Sequence, residues 1–248
     1  MDVLKDSYSE IFSQRGKLYH MAMEKYPNAR KEEFQHSLEN VIFNDGDIIC
    51  DIPSGGGYLA PYINKNCNLI SIEFSNGFTD QNTNINNCAL TSPSKLPLKN
   101  NSINTTISIA GIHHHSNQQS FYSEIFRSLK SNGLFVLSDV QINSNIAFFL
   151  DNIVGKYNST GHSGIYLSSK TKNELEKVGF HVTNMKLNKF SWIFDSLHDI
   201  TDFMKIFFDL NNISHAKLLN YVQTILGIEK RNGKYHVGWS LMTFYCKS

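Results

Sequence analysis

The sequence lacks the features that mark secreted, membrane-spanning and disulfide-rich proteins. Its four cysteines are widely spaced and include no Cys-x-x-Cys pair, so they indicate neither a disulfide framework nor a zinc site. No apolar run approaches the roughly 20 residues that a membrane-spanning helix needs. The first residues contain no basic segment followed by an apolar one, which a secretory signal would show. We therefore expect a cytoplasmic protein without membrane contact.

The sequence also lacks a charge excess of either sign. It carries 23 basic and 22 acidic residues, a net charge of +1 with neutral histidines. A surface that follows a nucleic-acid backbone needs a basic excess, so we expect no nucleic-acid partner. The 248 residues are 41% hydrophobic, which is enough for one sizeable core. We expect a monomer or a homodimer.

Short apolar runs separated by helical patterns are the main feature of the chain. This alternation predicts an α/β protein with a doubly wound, mostly parallel sheet. The predicted strands are residues 47–52, 69–74, 88–90, 105–110, 134–140, 180–194 and 235–246. The predicted helices are residues 58–64, 118–130, 144–154, 170–178, 197–210 and 214–226. We predict a helical arm or lid over residues 1–44 and a main domain over residues 45–248. The main domain would carry an inserted helical cap at about 197–227.

A glycine-rich turn after the first strand predicts a nucleotide site. The strand ends in Asp51, and Gly55 and Gly57 then allow the backbone to approach a ligand closely before the next helix. Glu73 follows 22 residues later at the end of the second strand, where a carboxylate can accept hydrogen bonds from both ribose hydroxyls. The absence of Gly-Lys-Ser/Thr argues against a phosphate-binding P-loop, and Pro53 replaces the glycine of the usual dinucleotide motif.

The segment Asp51-Ile52-Pro53-Ser54-Gly55-Gly56-Gly57 resembles the first motif of the class I S-adenosylmethionine-dependent methyltransferases. Three further segments are similar to motifs of that family, in the same order: Leu96–Asn104 before the fourth strand, Ile112-His113-His114 after it, and Ser128–Leu134 before the fifth. The resemblance implies a Rossmann-like, doubly wound sheet of seven strands, mostly parallel with the last strand antiparallel, and a helical cap. Pro53, Ser92 and Asn104 depart from the family pattern.

The resemblance also implies S-adenosylmethionine as the cofactor and S-adenosylhomocysteine as its product. By position in the family motifs, Asp51, Gly55 and Gly57 would line the methionine portion and Glu73 would hold the ribose, with Pro53 and Phe74 beside them. Ser92 would border the adenine. Ala110 and His113 would close the side of the sulfonium, and Tyr19 in the amino-terminal arm would cover the cofactor.

Histidines supply the candidate catalytic residues. Methyl transfer from a sulfonium depends mostly on alignment and on exclusion of water, but an oxygen acceptor usually needs a base. His114, directly after the fourth strand, and His162, in a loop after the fifth, titrate in a range that suits a base. A metal site at His113-His114-His115 is an alternative, but adjacent residues point in different directions and would need further ligands. We therefore expect no metal.

The acceptor is predicted to be a small, aromatic or otherwise apolar metabolite. Trp192, Phe194 and several phenylalanines of the cap give the region flat, apolar surface, although packing of the cap also accounts for many of them. Oxygen is favoured as the acceptor atom, and a quinone C-methyltransferase stays open. A protein that binds S-adenosylmethionine without methyl transfer, as a cyclase or a binding module, is the second hypothesis.

Overall fold

A central sheet of eight strands organises the chain in the computed structural model, which describes residues 7–79 and 88–248. Seven strands lie in the order β3-β2-β1-β4-β5-β8-β6, and β7 pairs with β8 beside this path. The strands are β1 Ile48–Asp51, β2 Asn68–Glu73, β3 Cys88–Leu90, β4 Ile103–Ile109, β5 Leu129–Asp139, β6 His181–Phe194, β7 Ile228–Arg231 and β8 Lys234–Lys247.

The direction of the strands confirms the predicted fold class. Strands β3, β2, β1, β4 and β5 are parallel neighbours, and β8 inserts antiparallel between β5 and β6. All seven predicted strands are present. The additional β7 was missed because Glu229, Lys230 and Arg231 are exposed and offer no alternation of apolar and polar residues.

Helices cover the sheet and form the cap. They are α1 Ser7–Lys25, α2 Lys31–Leu38, α3 Asn76–Thr79, α4 Gln118–Ser128, α5 Asn145–Phe148, α6 Gly155–Tyr157, α7 Ser169–Val178, α8 Leu197–Phe207 and α9 His215–Tyr221. Wider π-type turns follow α5 at Phe149–Val154 and α9 at Val222–Leu226. None of the helices in the described part of the chain has the length and apolar character needed to cross a bilayer.

Neighbouring residues of β1 show how the sheet divides the core. Ile49 and Cys50 are both fully buried, and they belong to separate hydrophobic clusters. Successive side chains of a strand point to opposite faces, so each face of the sheet has its own packed layer. The carboxyl ends of the parallel strands remain at one edge, where loops can build a site.

One predicted helix is wrong. Residues 58–64 contain only a three-residue 3₁₀ turn, Ala60–Tyr62, and the chain is extended again at Ile63. Pro61 lies in this turn and has no N–H to donate to a helical ladder. A ligand at the glycine turn therefore meets the backbone of the turn itself and not the N-terminus of a long helix.

Candidate active site

Two buried carboxylates lie at the carboxyl ends of neighbouring strands. Asp51 ends β1 and Glu73 ends β2, which runs parallel to it. Glu73 Oε2 accepts a hydrogen bond from the backbone N–H of Gly55 at 2.7 Å. Its Oε1 accepts from the N–H groups of Phe74 and Ser75 at 2.7 and 3.2 Å. These bonds tie the glycine turn to the end of β2.

Tyr8 of α1 completes the surroundings of Glu73. Its hydroxyl donates a hydrogen bond to the Glu73 carboxylate, and its ring lies edge-on to Phe74 with centroids 5.6 Å apart. Burial, the negative charge of Glu73 and this bond raise the pKa of Tyr8 well above its usual value. The first helix therefore contacts Glu73, the residue predicted from the sequence to bind the ribose.

Of the two carboxylates, Asp51 is the one whose negative charge the described residues stabilise less. Burial and the nearby charge of Glu73 raise the pKa of Asp51 well above its ordinary value. Its Oδ2 is buried and has no hydrogen-bond partner among the described residues. A buried carboxylate oxygen of this kind is stabilised by a cationic donor. An ammonium group such as that of methionine meets this need, so the residues present fit the amino-acid part of S-adenosylmethionine.

The glycine turn adopts a backbone that other residues rarely adopt. Gly55, Gly56 and Gly57 all have positive φ, at 53°, 105° and 76°. A Cβ on Gly55 would meet only the Tyr19 hydroxyl, at 3.9 Å, within the 4 Å searched around it. Across the turn, a Cβ on Gly111 would lie 2.4 Å from the Pro53 ring. Pro53 thus packs the turn against the loop after β4, where Ala110 also lies.

Ser92 and Phe74 border a separate, outer cavity of about 250 Å³. Tyr8, Ser9, Thr91 and Pro93 form the rest of its wall. The cavity lies beyond the end of β3, on the side where the resemblance places the adenine.

A second cavity, of about 60 Å³, lies beside Tyr19 and Ala110. Most of its wall is aromatic or apolar, and it also holds histidines and two arginines. The lining residues are Phe12, Arg15, Tyr19, Arg30, Glu33, Ala110, His113, His114, Val140, Leu150, His162, Trp192, Phe207, Phe208 and Trp239. We call it the inner cavity. Trp192 and Trp239 stack there with ring centroids 3.9 Å apart.

Three histidines converge on the inner cavity, and two of them are oriented by buried or half-buried carboxylates. His113 Nδ1 lies 2.7 Å from Asp139 Oδ1, and His162 Nδ1 lies 3.0 Å from Asp151 Oδ1. A carboxylate at Nδ1 favours the tautomer with the proton on Nδ1, so that Nε2 is a proton acceptor. One ring nitrogen each of His113, His114 and His162 lies within 4.8 Å of the others.

The surroundings keep two of these rings neutral. Burial, followed by His113, His162 and Arg15, lowers the pKa of His114 well below its ordinary value of 6.5. Burial also lowers the pKa of His162, although its bond to Asp151 acts in the opposite direction. Neutral imidazoles at physiological pH can take up a proton from a bound hydroxyl.

The predicted site residues thus fall into two groups. The outer part brings together Asp51, the glycine turn, Glu73, Phe74 and Ser92. The inner cavity brings together Tyr19, Ala110, His113, His114 and His162. Sequence reasoning missed Asp139, Asp151 and Arg15. Asp139 ends β5 at the same sheet edge as His113, and that position in a predicted strand was an available signal.

Comparisons with known proteins agree with the fold. Residues 50–137 match the model of a family described as a methyltransferase domain. None of the curated proteins matches the sequence. An S-adenosylmethionine-dependent methyltransferase from Thermotoga maritima has a similar structure, with a TM-score of 0.63 and 14% identity. That similarity covers 96% of this chain and 98% of the other.

Two further solved structures share the architecture. The [4+2]-cyclase SpnF is 11% identical with a TM-score of 0.58, over 94% of this chain and 96% of that chain. A phosphoethanolamine N-methyltransferase 2 of Haemonchus contortus, solved with S-adenosylhomocysteine, is 13% identical with a TM-score of 0.53. The match covers 94% of this chain and 57% of that one. Residues 50–137 therefore match a methyltransferase domain, and the chain shares the Rossmann-like fold of these solved structures, as the motifs implied.

Proposed function

We propose that this protein is an S-adenosylmethionine-dependent methyltransferase that acts on a small aromatic or apolar metabolite, with oxygen as the favoured acceptor atom. The observation that carries the proposal is the adjacency of the two groups of residues. A carboxylate-lined turn that fits a cationic amino acid adjoins, at Tyr19, an aromatic cavity that contains neutral histidines.

When bound, S-adenosylmethionine supplies a methyl group on a positively charged sulfur. On this proposal, Asp51 neutralises the ammonium of its amino-acid part, and the Gly55–Gly57 backbone allows close approach. Glu73 would accept hydrogen bonds from the ribose hydroxyls in place of the one from Tyr8. Such charge-assisted hydrogen bonds contribute about 1.5–3 kcal/mol each. Phe74, Pro53 and Ser92 border the rest of the cofactor.

The histidines of the inner cavity would handle the proton of the acceptor. His162 or His114 would take the proton of the acceptor hydroxyl, and the cofactor would supply the methyl group that replaces this proton on the oxygen. Asp151 stabilises the imidazolium that results at His162, as a carboxylate does in other histidine pairs. The aromatic walls exclude water, which would otherwise compete for the methyl group.

The amino-terminal arm acts as the lid of this site in our proposal. Tyr8, Arg15 and Tyr19, all on α1, reach the carboxylate side and the inner cavity. The inner cavity of about 60 Å³ is smaller than the roughly 150 Å³ cavity that holds benzene in a protein interior. An aromatic acceptor therefore requires an outward movement of α1 or of the cap.

Calorimetry with S-adenosylmethionine tests the cofactor, and release of S-adenosylhomocysteine with a panel of phenols and aromatic acids tests the transfer. We expect binding and turnover on at least one acceptor. Absence of binding overturns the proposal. Tight binding without release on any acceptor favours the second hypothesis, a cyclase or a binding module with the methyltransferase fold.

A further inference from the structure

Arg15 is a buried cation that forms no ion pair within the described residues. It lies on α1, is 4% exposed and lines the inner cavity. Its Nη2 donates to the carbonyl oxygen of Phe207 at a long 3.4 Å, and its guanidinium lies 5.7 Å from the Phe12 ring centre. Within the described residues, Arg15 Nε is buried and has no hydrogen-bond acceptor.

The second arginine of the same cavity shows what a compensated guanidinium looks like here. Arg30 binds Glu33 through two parallel hydrogen bonds of 2.9 and 2.5 Å. Trp192 Nε1 donates to the same carboxylate at 2.9 Å. Glu33 is the only acidic residue among those that line the inner cavity, and its charge is already paired with that of Arg30.

No carboxylate in the described ranges, 7–79 and 88–248, lies within 4 Å of Arg15. Asp209 acts on it from a longer distance and favours its charged form, whereas burial lowers the pKa of Arg15 to about 10. At that pKa the guanidinium is still charged at neutral pH. The adjacent His114 and His162 have lowered pKa values, and neutral rings offer no negative charge to balance the guanidinium.

A buried and unpaired cation is costly for the folded protein, and a site that binds an anion is a common reason to keep one. The fork of donors on a guanidinium matches a carboxylate in geometry as well as in charge. The walls beside Arg15 are flat aromatic rings, among them Trp192, Phe207 and Trp239. These surfaces favour a planar, apolar body next to the anionic group.

We propose that Arg15 binds the carboxylate of an aromatic acid and that the methyl acceptor of this protein belongs to that class. The proposal rests on the proposed function because it assigns the acceptor of that same site. It nevertheless concerns binding in the inner cavity alone, and it can be tested without cofactor.

The chain's two tryptophans, Trp192 and Trp239, both line this cavity, so intrinsic fluorescence reports ligand binding there directly. The probes are benzoate, 4-hydroxybenzoate and 4-hydroxyphenylacetate, each titrated beside its neutral amide. For at least one pair we expect the acid to bind at least about tenfold more tightly, as one charge-assisted hydrogen bond provides. Equal affinity within every pair, or no fluorescence change with any acid, overturns the proposal.

Three variants test whether Arg15 is the source of the preference for acids over amides. Arg15→Met should abolish it, and Arg15→Lys should keep a reduced preference, because the charge remains while the fork is lost. Lys17→Gln removes an exposed positive charge from the same helix and should leave the preference unchanged. Persistence of the preference in Arg15→Met overturns the proposal, as does its loss in Lys17→Gln, since a general charge effect would then explain it.

Thermal unfolding gives a second readout. Arg15→Met removes a buried, unpaired charge at similar volume, so we expect an unchanged or higher melting temperature. A marked fall would assign Arg15 to structural packing instead. Failure of S-adenosylmethionine to bind would overturn the proposed function, while the preference for acids over amides would stand or fall on its own data.

Discussion

The two sides of the cleft carry opposite charge. The outer side presents Asp51 and Glu73, both buried and both with raised pKa values. The inner side presents Arg15 and neutral histidines, and the single acidic residue among its lining residues is paired with Arg30. The site is thus polarised between its two parts, which adjoin at Tyr19.

This polarity suits the proposed reaction. A sulfonium donor is positively charged and is favoured beside carboxylates, whereas an acceptor that loses a proton becomes negatively charged and is favoured beside a cation. If the two sides act independently, a substitution on one side should leave the properties of the other side unchanged.

The largest effect on cofactor affinity is expected at Glu73. The change Glu73→Gln removes the charge while it keeps the size. We expect cofactor affinity to fall about 100-fold or more, since the two charge-assisted bonds proposed to the ribose would be weakened. Calorimetry with S-adenosylmethionine measures the loss. The exposed Glu10→Gln on α1 is the matched control. Unchanged affinity in Glu73→Gln would contradict the placement of the ribose.

Substitutions on the inner side should lower kcat and leave the affinity for the cofactor unchanged. We expect His162→Ala to lower kcat by about 10²-fold to 10⁴-fold, the usual contribution of a general base, with binding of S-adenosylmethionine unaltered. His114→Ala should also lower kcat. Single-turnover release of S-adenosylhomocysteine measures the step once an acceptor is known, and the exposed His181→Ala serves as control.

Two outcomes would contradict this assignment. A fall in cofactor affinity in His162→Ala would place His162 on the outer side. Loss of activity after chelation, restored by a divalent cation, would make His113, His114 and His162 metal ligands, since their ring nitrogens lie within 4.8 Å of one another. We expect chelation to have no effect, because the nearby Arg15 charge disfavours a second cation.

The outer side was predictable because its parts are close in sequence. Asp51 and the glycines belong to one strand and one turn, and Glu73 ends the next strand along the chain. Local pattern and spacing therefore carry most of the information. The helix predicted at residues 58–64 was the exception. A helical pattern of residues does not show whether the segment is long enough to form a stable helix.

The inner side depends on contacts between distant segments. Arg15 meets Phe207 across 192 positions, and His113 meets Asp139 across 26. Histidine as a residue type could be noticed in the sequence, and His114 and His162 were. Which carboxylate orients which ring, and which arginine stays unpaired, follows only from the packing of α1 and the cap against the sheet.

The smallest expected effect is on the pH dependence of stability, where the two sides should act in opposite directions. The folded-state pKa of His114 lies below its unfolded value, so the unfolded state binds more protons and stability falls as pH drops below about 6.5. The folded-state pKa of Asp51 lies above its unfolded value, so stability falls as pH rises through that folded pKa. Each group contributes at most about 1.4 kcal/mol per pH unit.

Denaturant unfolding between about pH 5 and pH 8 separates the two contributions. His114→Gln should flatten the rise of stability with pH, since it removes the group that drives it. Asp51→Asn should steepen that rise wherever Asp51 still titrates, since it removes the opposing group. The exposed His181→Gln should leave the profile unchanged. A change of slope in the same direction in both cleft variants would show that the two sides titrate as one unit, and the separation of charge between them would then be wrong.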